Sequence, residues 1–212
     1  MSRVRVHISV SADGYVAGPN QSEENPLGEG GERLHDWVVA LRAWRAPHGM
    51  EGGEVNASNA VVEEAQANLG AEIMGRGKFG GGPGPWGEDP WPGWWGEDPP
   101  FHMPVFVLTH HQREPLTRSD TTFTFVTDGI EAALEQARAA AGEKDVLIGG
   151  GAEVINQYLA ARHVDELELH VVPLLLGGGA RLFEGIGPTL ELEQIRVVEA
   201  PGVAHLKYRV VK

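Results

Sequence analysis

Residues 145–151 read Asp-Val-Leu-Ile-Gly-Gly-Gly, and a helical stretch, Ala152–Ala161, follows without a break. No other feature narrows the fold as much. A short apolar run that stops on glycines and turns at once into a helix is a strand-to-helix corner, the joint of a largely parallel sheet. Backbone N–H groups at the head of such a helix lack intrahelical partners and lie at the positive end of its dipole. With no Cβ in the way, a pyrophosphate can approach them. The glycines lack the G-x-G-x-x-G spacing, and the same three residues also suit a tight turn that needs positive φ.

The remaining chain fits that joint. Val4, Val6, Ile8 and Val10 alternate with Arg5, His7 and Ser9, which predicts a strand. Asp13-Gly14 and Gly18-Pro19-Asn20 break the pattern, and a polar loop runs to about residue 31. Leu34, Trp37, Val38, Leu41 and Trp44 follow helical spacing over Glu32–Trp44. A second helix is expected over 58–69, with Ser58 or Asn56 as its cap. Ala71–Met74 reads as a buried strand ending in Gly75-Arg76, and Pro104–Leu108 and Phe123–Val126 read as two more. Residues 130–141 have high helix propensity. Residues 164–172 and 205–211 alternate, as antiparallel strands with one wetter face do. With no repeat and no domain boundary, residues 1–212 are expected to form one α/β domain. Its architecture is three layers around a mixed, mainly parallel sheet with antiparallel C-terminal strands.

Residues 77–100 stand apart, with eight glycines, six prolines and Trp86, Trp91, Trp94 and Trp95. That density of Gly and Pro excludes a helix or central strand, and four tryptophans exclude a plain linker. The segment is either a lid that stacks a flat substrate or a loop packed on itself or on a second copy.

Thirty acidic against 17 basic residues give a net charge of −13, which disfavours nucleic acid and anionic membrane as partners. An anionic ligand must therefore be held by local donors. The absence of cysteine removes disulfides, thiolate nucleophiles and Cys-ligated zinc. Without a signal-like N-terminus or a long apolar run, a cytoplasmic chain is expected. Adjacent His110 and His111 point to opposite sides of extended backbone, and no H-x-x-x-H spacing occurs, so no metal is expected.

Taken in order, these pieces resemble dihydrofolate reductase and, more closely, the reductase domain of riboflavin biosynthesis. The resemblance covers almost the whole chain. It comprises Ser-x-Asp-Gly-x-x-Ala-Gly over Ser11–Gly18, Met74-Gly75-Arg76, Val105–Thr109 and Ile148-Gly149-Gly150-Gly151. Val164-Asp165-Glu166-Leu167 then leads into Pro173-x-x-x-Gly177, with Gly178, Gly179 and Leu182-Phe183 typical of the riboflavin branch.

This resemblance implies an NADPH-dependent reductase delivering hydride to a small heteroaromatic, pterin-like or carbonyl/imine substrate. It implies that Gly75 and Arg76 approach the cofactor phosphates, with Lys78 where the family usually has Thr. Thr109 and His110 would hold the adenosine-side phosphate, and Gly149, Gly150, Gly151 and Ala152 the pyrophosphate, with a cis peptide at Gly149–Gly150. It further implies an acid on the first helix as proton donor. Asp36, which precedes Trp37, is the candidate, although an amphipathic helix would also carry it as a solvated flank. A homodimer is expected, because Val171–Leu176 looks apolar and uncovered. Two other functions fit the same scaffold: a non-catalytic nucleotide-binding or interaction protein, and a flavin-using oxidoreductase.

Overall fold

A computed structural model describes residues 2–212. Its elements in chain order begin with β1 (Val4–Ser11), β2 (Tyr15–Ala17), α1 (Asp36–Val39), α2 (Arg42–Arg45), α3 (Ala57–Gln66), β3 (Leu69–Gly75) and α4 (Arg76–Phe79). There follow β4 (Val105–Leu108), β5 (Leu116–Arg118), β6 (Thr121–Val126), α5 (Gly129–Ala141), β7 (Asp145–Gly150) and α6 (Ala152–Ala160). The chain ends with β8 (Glu166–Val172), β9 (Ala180–Arg181), β10 (Leu192–Ala200) and β11 (Val203–Val210).

The alternation in β1 sets the layering. Val4, Val6 and Val10 join Ala71, Ile73, Val146 and Ile148 in an apolar core that α5 and α6 close. Tyr158 of α6 is buried there and donates its hydroxyl to the carbonyl of Ile130 at 2.7 Å, tying the two helices together. The opposite face of β1 carries Arg5, His7 and Ser9 and lies under α1–α3. Arg5 donates to the carbonyls of Glu64 and Ala67, satisfying the C-terminal end of α3. The sheet is therefore covered on both sides, as the sequence predicts.

Nine strands run in the order β10-β11-β8-β1-β7-β3-β4-β6-β5. Pairing is parallel from β8 through β6 and antiparallel for β11 with β8, β10 with β11 and β5 with β6. The C-terminal ends of β1, β7, β3 and β4 consequently meet along one edge, where open α/β sheets bind ligands.

Three local expectations are corrected. The expected helix over Glu32–Trp44 is broken: Gly31–His35 is a 3₁₀ turn, and Leu41 is extended (ψ 144°) between α1 and α2. Leu34 buries with Val172 and Val203, whereas Leu41 buries with Ala43 and Val62, so one straight axis does not serve both. The second helix stops at Gln66, because Asn68 takes a left-handed turn (φ 62°) into β3. Its cap is Asn56, whose Oδ1 accepts the N–H of Ser58. Val171–Leu176 is mostly covered, with only Leu175 strongly exposed, because Val172 joins the Leu34 cluster. The exposed apolar side chains lie instead on edge strand β10, at Leu192, Ile195 and Val197.

The Trp-rich segment packs onto the sheet beyond β3. Trp86, Trp91 and Trp95, themselves partly buried, cover Met74, Phe79, Val105 and Phe123, and Trp94 is the most exposed of the four. Among the described residues no helix is long and apolar enough to cross a membrane.

Candidate active site

The corner between β7 and α6 contains three glycines, each required for a different reason. A Cβ on Gly149 would stand 2.0 Å from Glu72 Oε1 and 2.8 Å from Lys78 Nζ, so this position is bare because Glu72 lies across it. Gly150 adopts φ 101°, a conformation other residues rarely take. Gly151 is the N-cap of α6, makes no side-chain cap bond, and would carry a Cβ into open space. The cis peptide is Gly150–Gly151, one bond later than the resemblance implies. β7 stays paired to β3 through Met74↔Gly150, so the chain leaves the sheet after Gly150.

Gly75 ends β3 beside this corner. Its own Cβ would collide with Val154 Cγ2 at 2.8 Å, and Gly150 O and Gly151 N lie within 4.0 Å. Gly75, Gly150, Gly151 and Ala152 are thus brought together as predicted. With its first N–H groups uncapped and room at Gly151, the head of α6 fits a diphosphate.

The basic residues are arranged differently from the expectation. Arg76 donates to the carbonyls of Gly81 (3.0 Å) and Gly84 (2.5 Å) and stacks 3.7 Å over the Trp86 ring. It anchors the Trp-rich loop, and burial lowers its pKa. Arg113 does similar work, donating to the Trp91 carbonyl and lying over Trp86 and Phe125. Thr109 is buried after β4, bonded through its N–H to Val126 O and through Oγ1 to the N–H of His111. His110 beside it is exposed. Lys78 turns away from these groups and pairs with Glu72 at 2.7 Å, on the face of the sheet that α1–α3 cover.

Asp36 is not directed at the corner. It is exposed and lines a cavity of about 320 Å³ with Trp37, Glu54, Val172, Leu174 and Pro201, beside the C-terminal end of β8. Trp37 donates Nε1–H to Ser9 Oγ at 3.1 Å and packs tilted against His170 and edge-on to His205. Asp13 is the turn former anticipated from Asp-Gly. Its carboxylate accepts from the Ser11 hydroxyl and from the N–H groups of Leu176 and Gly177, joining the β1 end to the Pro173–Gly177 segment. These bonds, the Ser11 one foremost, hold its pKa down to about 2.

Sequence reading missed the polar row on the inner face. Val6 pairs with Ile148, which sets His7 level with Gly149, and His7 pairs on its other side with Glu168. One residue pair along, Ser9, His170 and His205 align across β1, β8 and β11. His170 and His205 share an Nδ1···Nδ1 hydrogen bond of 2.8 Å, and His205 Nε2 bonds Ser58 Oγ at 2.9 Å. Burial drives the pKa of His7 down to about 3 and of His205 to about 4, and lowers His35 and His170 as well. His7 Nε2 and His35 Nδ1 are buried without partners. The available signal was Glu72 itself, a carboxylate inside an otherwise apolar strand. Asp98, His102 and Asp120 bring potential ligand atoms within 4.8 Å of one another, all exposed. They lie near the start of β6, at the opposite end of the sheet.

This architecture recurs in known proteins. A protein of Shewanella sp. PV-4 described as a riboflavin biosynthesis protein superposes with TM-score 0.63 at 21% identity, over 99% of both chains. A Thermotoga maritima diaminohydroxyphosphoribosylaminopyrimidine deaminase/5-amino-6-(5-phosphoribosylamino)uracil reductase gives 0.57 at 13% identity, over 99% of this chain and 57% of that one. Dihydrofolate reductase of Enterococcus faecalis, complexed with NADP(H), gives 0.53 at 14% identity over 99% and 97%. In sequence, the uncharacterized protein YwjB of Bacillus subtilis is 32% identical over 69 residues, 32% of this chain and 39% of that relative's length. The fold is therefore of dihydrofolate-reductase type. The family model described as RibD C-terminal domain matches residues 2–205, and the chain belongs to that family.

Proposed function

We propose that this chain is an NADPH-dependent reductase of a small heterocyclic or carbonyl/imine substrate. One observation carries the reading: the uncapped head of α6 opens onto Gly151, where a Cβ would find free space, with Gly75 of β3 alongside. The substrate class comes from the relatives, since the Thermotoga enzyme is a 5-amino-6-(5-phosphoribosylamino)uracil reductase and the Enterococcus one a dihydrofolate reductase.

When bound, the dinucleotide supplies hydride. The chain's own residues supply the rest. Backbone N–H groups at the head of α6 hold the diphosphate with the helix dipole behind them. Thr109 and His110, at the end of β4, border the adenosine side. The Trp-rich loop shields the β3–β6 half of the inner face from water, with Glu72 and Lys78 in front of Gly149. NADPH over NADH requires a cation at the 2′-phosphate, and Arg76 is the proposed group, exchanging the Gly81 and Gly84 carbonyls for phosphate oxygens.

The test is loss of NADPH absorbance with 5-amino-6-(5-phosphoribosylamino)uracil and with dihydrofolate as acceptors. Saturable oxidation by either supports the reading. Failure to bind NADPH at millimolar concentration refutes it. We also propose a homodimer formed across the β10 edge, because Leu192, Ile195 and Val197 are exposed on an unpaired strand. Light scattering reporting the mass of a single chain at micromolar concentration would remove that proposal.

A further inference from the structure

With Asp36 in a cavity to which no corner glycine contributes, the proton that a reduced C=N or C=O requires has no assigned source. The inner face offers one. Glu72 is buried, with 4% of its side chain exposed, and pairs with Lys78, whose side chain is 33% exposed. A buried ion pair adds little net stability over apolar residues of the same size, so its presence in strand β3 calls for another role. The pair lies directly on the glycine corner, and a side chain at Gly149 would overlap the Glu72 carboxylate. Beside it, His7 Nε2 and His35 Nδ1 are buried and unpartnered, and Lys78 is close enough to disfavour a proton on either imidazole. One partly exposed cation, one buried carboxylate and two unpartnered ring nitrogens grouped beside Gly149 suit the hydrogen-bonding edge of a neutral heterocycle.

We propose that Lys78 is a catalytic residue, the general acid of the reduction, and that Glu72 is the positioning residue that aims its ammonium over Gly149. The inference rests on the reductase reading above. Hydride, with its two electrons, passes from a dihydronicotinamide to the acceptor carbon. The C=N or C=O π pair moves onto the heteroatom, which takes a proton from Lys78 Nζ. The dinucleotide would be left oxidised and Lys78 neutral, and solvent at the exposed side of Lys78 returns the proton.

Lys78→Met, Lys78→Arg and Glu72→Gln in the full chain test this, with NADPH and 5-amino-6-(5-phosphoribosylamino)uracil as probes. NADPH affinity, read from tryptophan emission, should stay within about twofold of wild type in all three, because the pair does not hold the diphosphate. Lys78→Met should lower kcat by about 10²–10⁴-fold with KM little changed, and Lys78→Arg should restore part of it. Glu72→Gln should lower kcat and enlarge the solvent deuterium isotope effect, which a purely structural role would leave alone. A wild type that binds no NADPH defeats the reductase reading itself. Normal kcat in Lys78→Met, with NADPH bound and turned over by wild type, overturns this proposal alone. So does a wild type that binds NADPH yet reduces neither this compound nor dihydrofolate, since Lys78 then has no acceptor of this class.

Discussion

Mild acid should destabilise this protein through its buried histidines. The unfolded imidazole titrates near 6.5, whereas His7 and His205 are held down to about 3 and about 4 by burial. Between those limits the unfolded chain binds more protons than the folded one, so stability rises with pH across the window. It is fully present above about pH 6.5 and is lost as pH falls toward 4. From pH 7 to pH 5 each group contributes a loss of about 2 kcal/mol, so the two together remove about 4 kcal/mol of a total typically 5–15. The geometry supports the direction. His170 and His205 face each other Nδ1 to Nδ1 at 2.8 Å, which requires at least one bare nitrogen. Protonating both would oppose two N–H groups in a buried layer that also carries Arg5 and Lys207. Urea unfolding followed by circular dichroism at pH 7, 6 and 5 measures the loss. His205→Asn should be less stable at pH 7, having lost the Ser58 and His170 bonds, but should show a shallower pH dependence. A wild-type midpoint that stays flat from pH 7 to pH 5 at constant m would refute the neutral buried layer.

Other perturbations probe separate parts of the structure. Glu64, held down to about 2 mainly by its Lys207 bond, contributes stability that is lost only as pH falls from about 4.5 toward 2, a window below that of the histidines. Gly149→Ala places a Cβ on the Glu72 carboxylate and should cost about 1–3 kcal/mol in a thermal melt; an unchanged melting temperature would mean Glu72 has room to move. Phe79→Ala removes the fully buried ring beneath Trp86 and Trp95, and should cost about 3–5 kcal/mol and shift tryptophan emission to the red. Arg76→Ala should weaken NADPH by about 1.5–3 kcal/mol and NADH much less in calorimetry; equal losses would move Arg76 to the diphosphate, and no loss would leave it only as the anchor of Gly81 and Gly84.

The sheet was legible because its strands carry strong local patterns. The alternation of β1 and the glycine stop of β7 follow from side-chain period and backbone freedom, and need no knowledge of distant contacts. The region around Asp36 was hard to read for the opposite reason. Helical spacing over Glu32–Trp44 is continuous, yet Leu34 and Leu41 bury in different clusters, and the helix breaks between them. Lys78 was misread similarly, as a phosphate ligand like Arg76, because its partner Glu72 is brought near only when α4 folds back over β3. The Trp-rich loop gave composition without direction; its order comes from Phe79, Phe123 and Phe125 beneath it. Strand β10 was overlooked because, at a half-exposed edge with a bulge between Gln194 and Arg196, its alternation slips by one residue.

A crystal structure of the chain with NADPH tests the central reading most directly. The diphosphate should lie within hydrogen-bond distance of the Ala152 and Glu153 N–H groups, beside Gly151 and Gly75, with the nicotinamide toward the Gly149 side of the corner. A dinucleotide seated instead in the cavity beside Asp36, or no bound dinucleotide at saturating concentration, would contradict it.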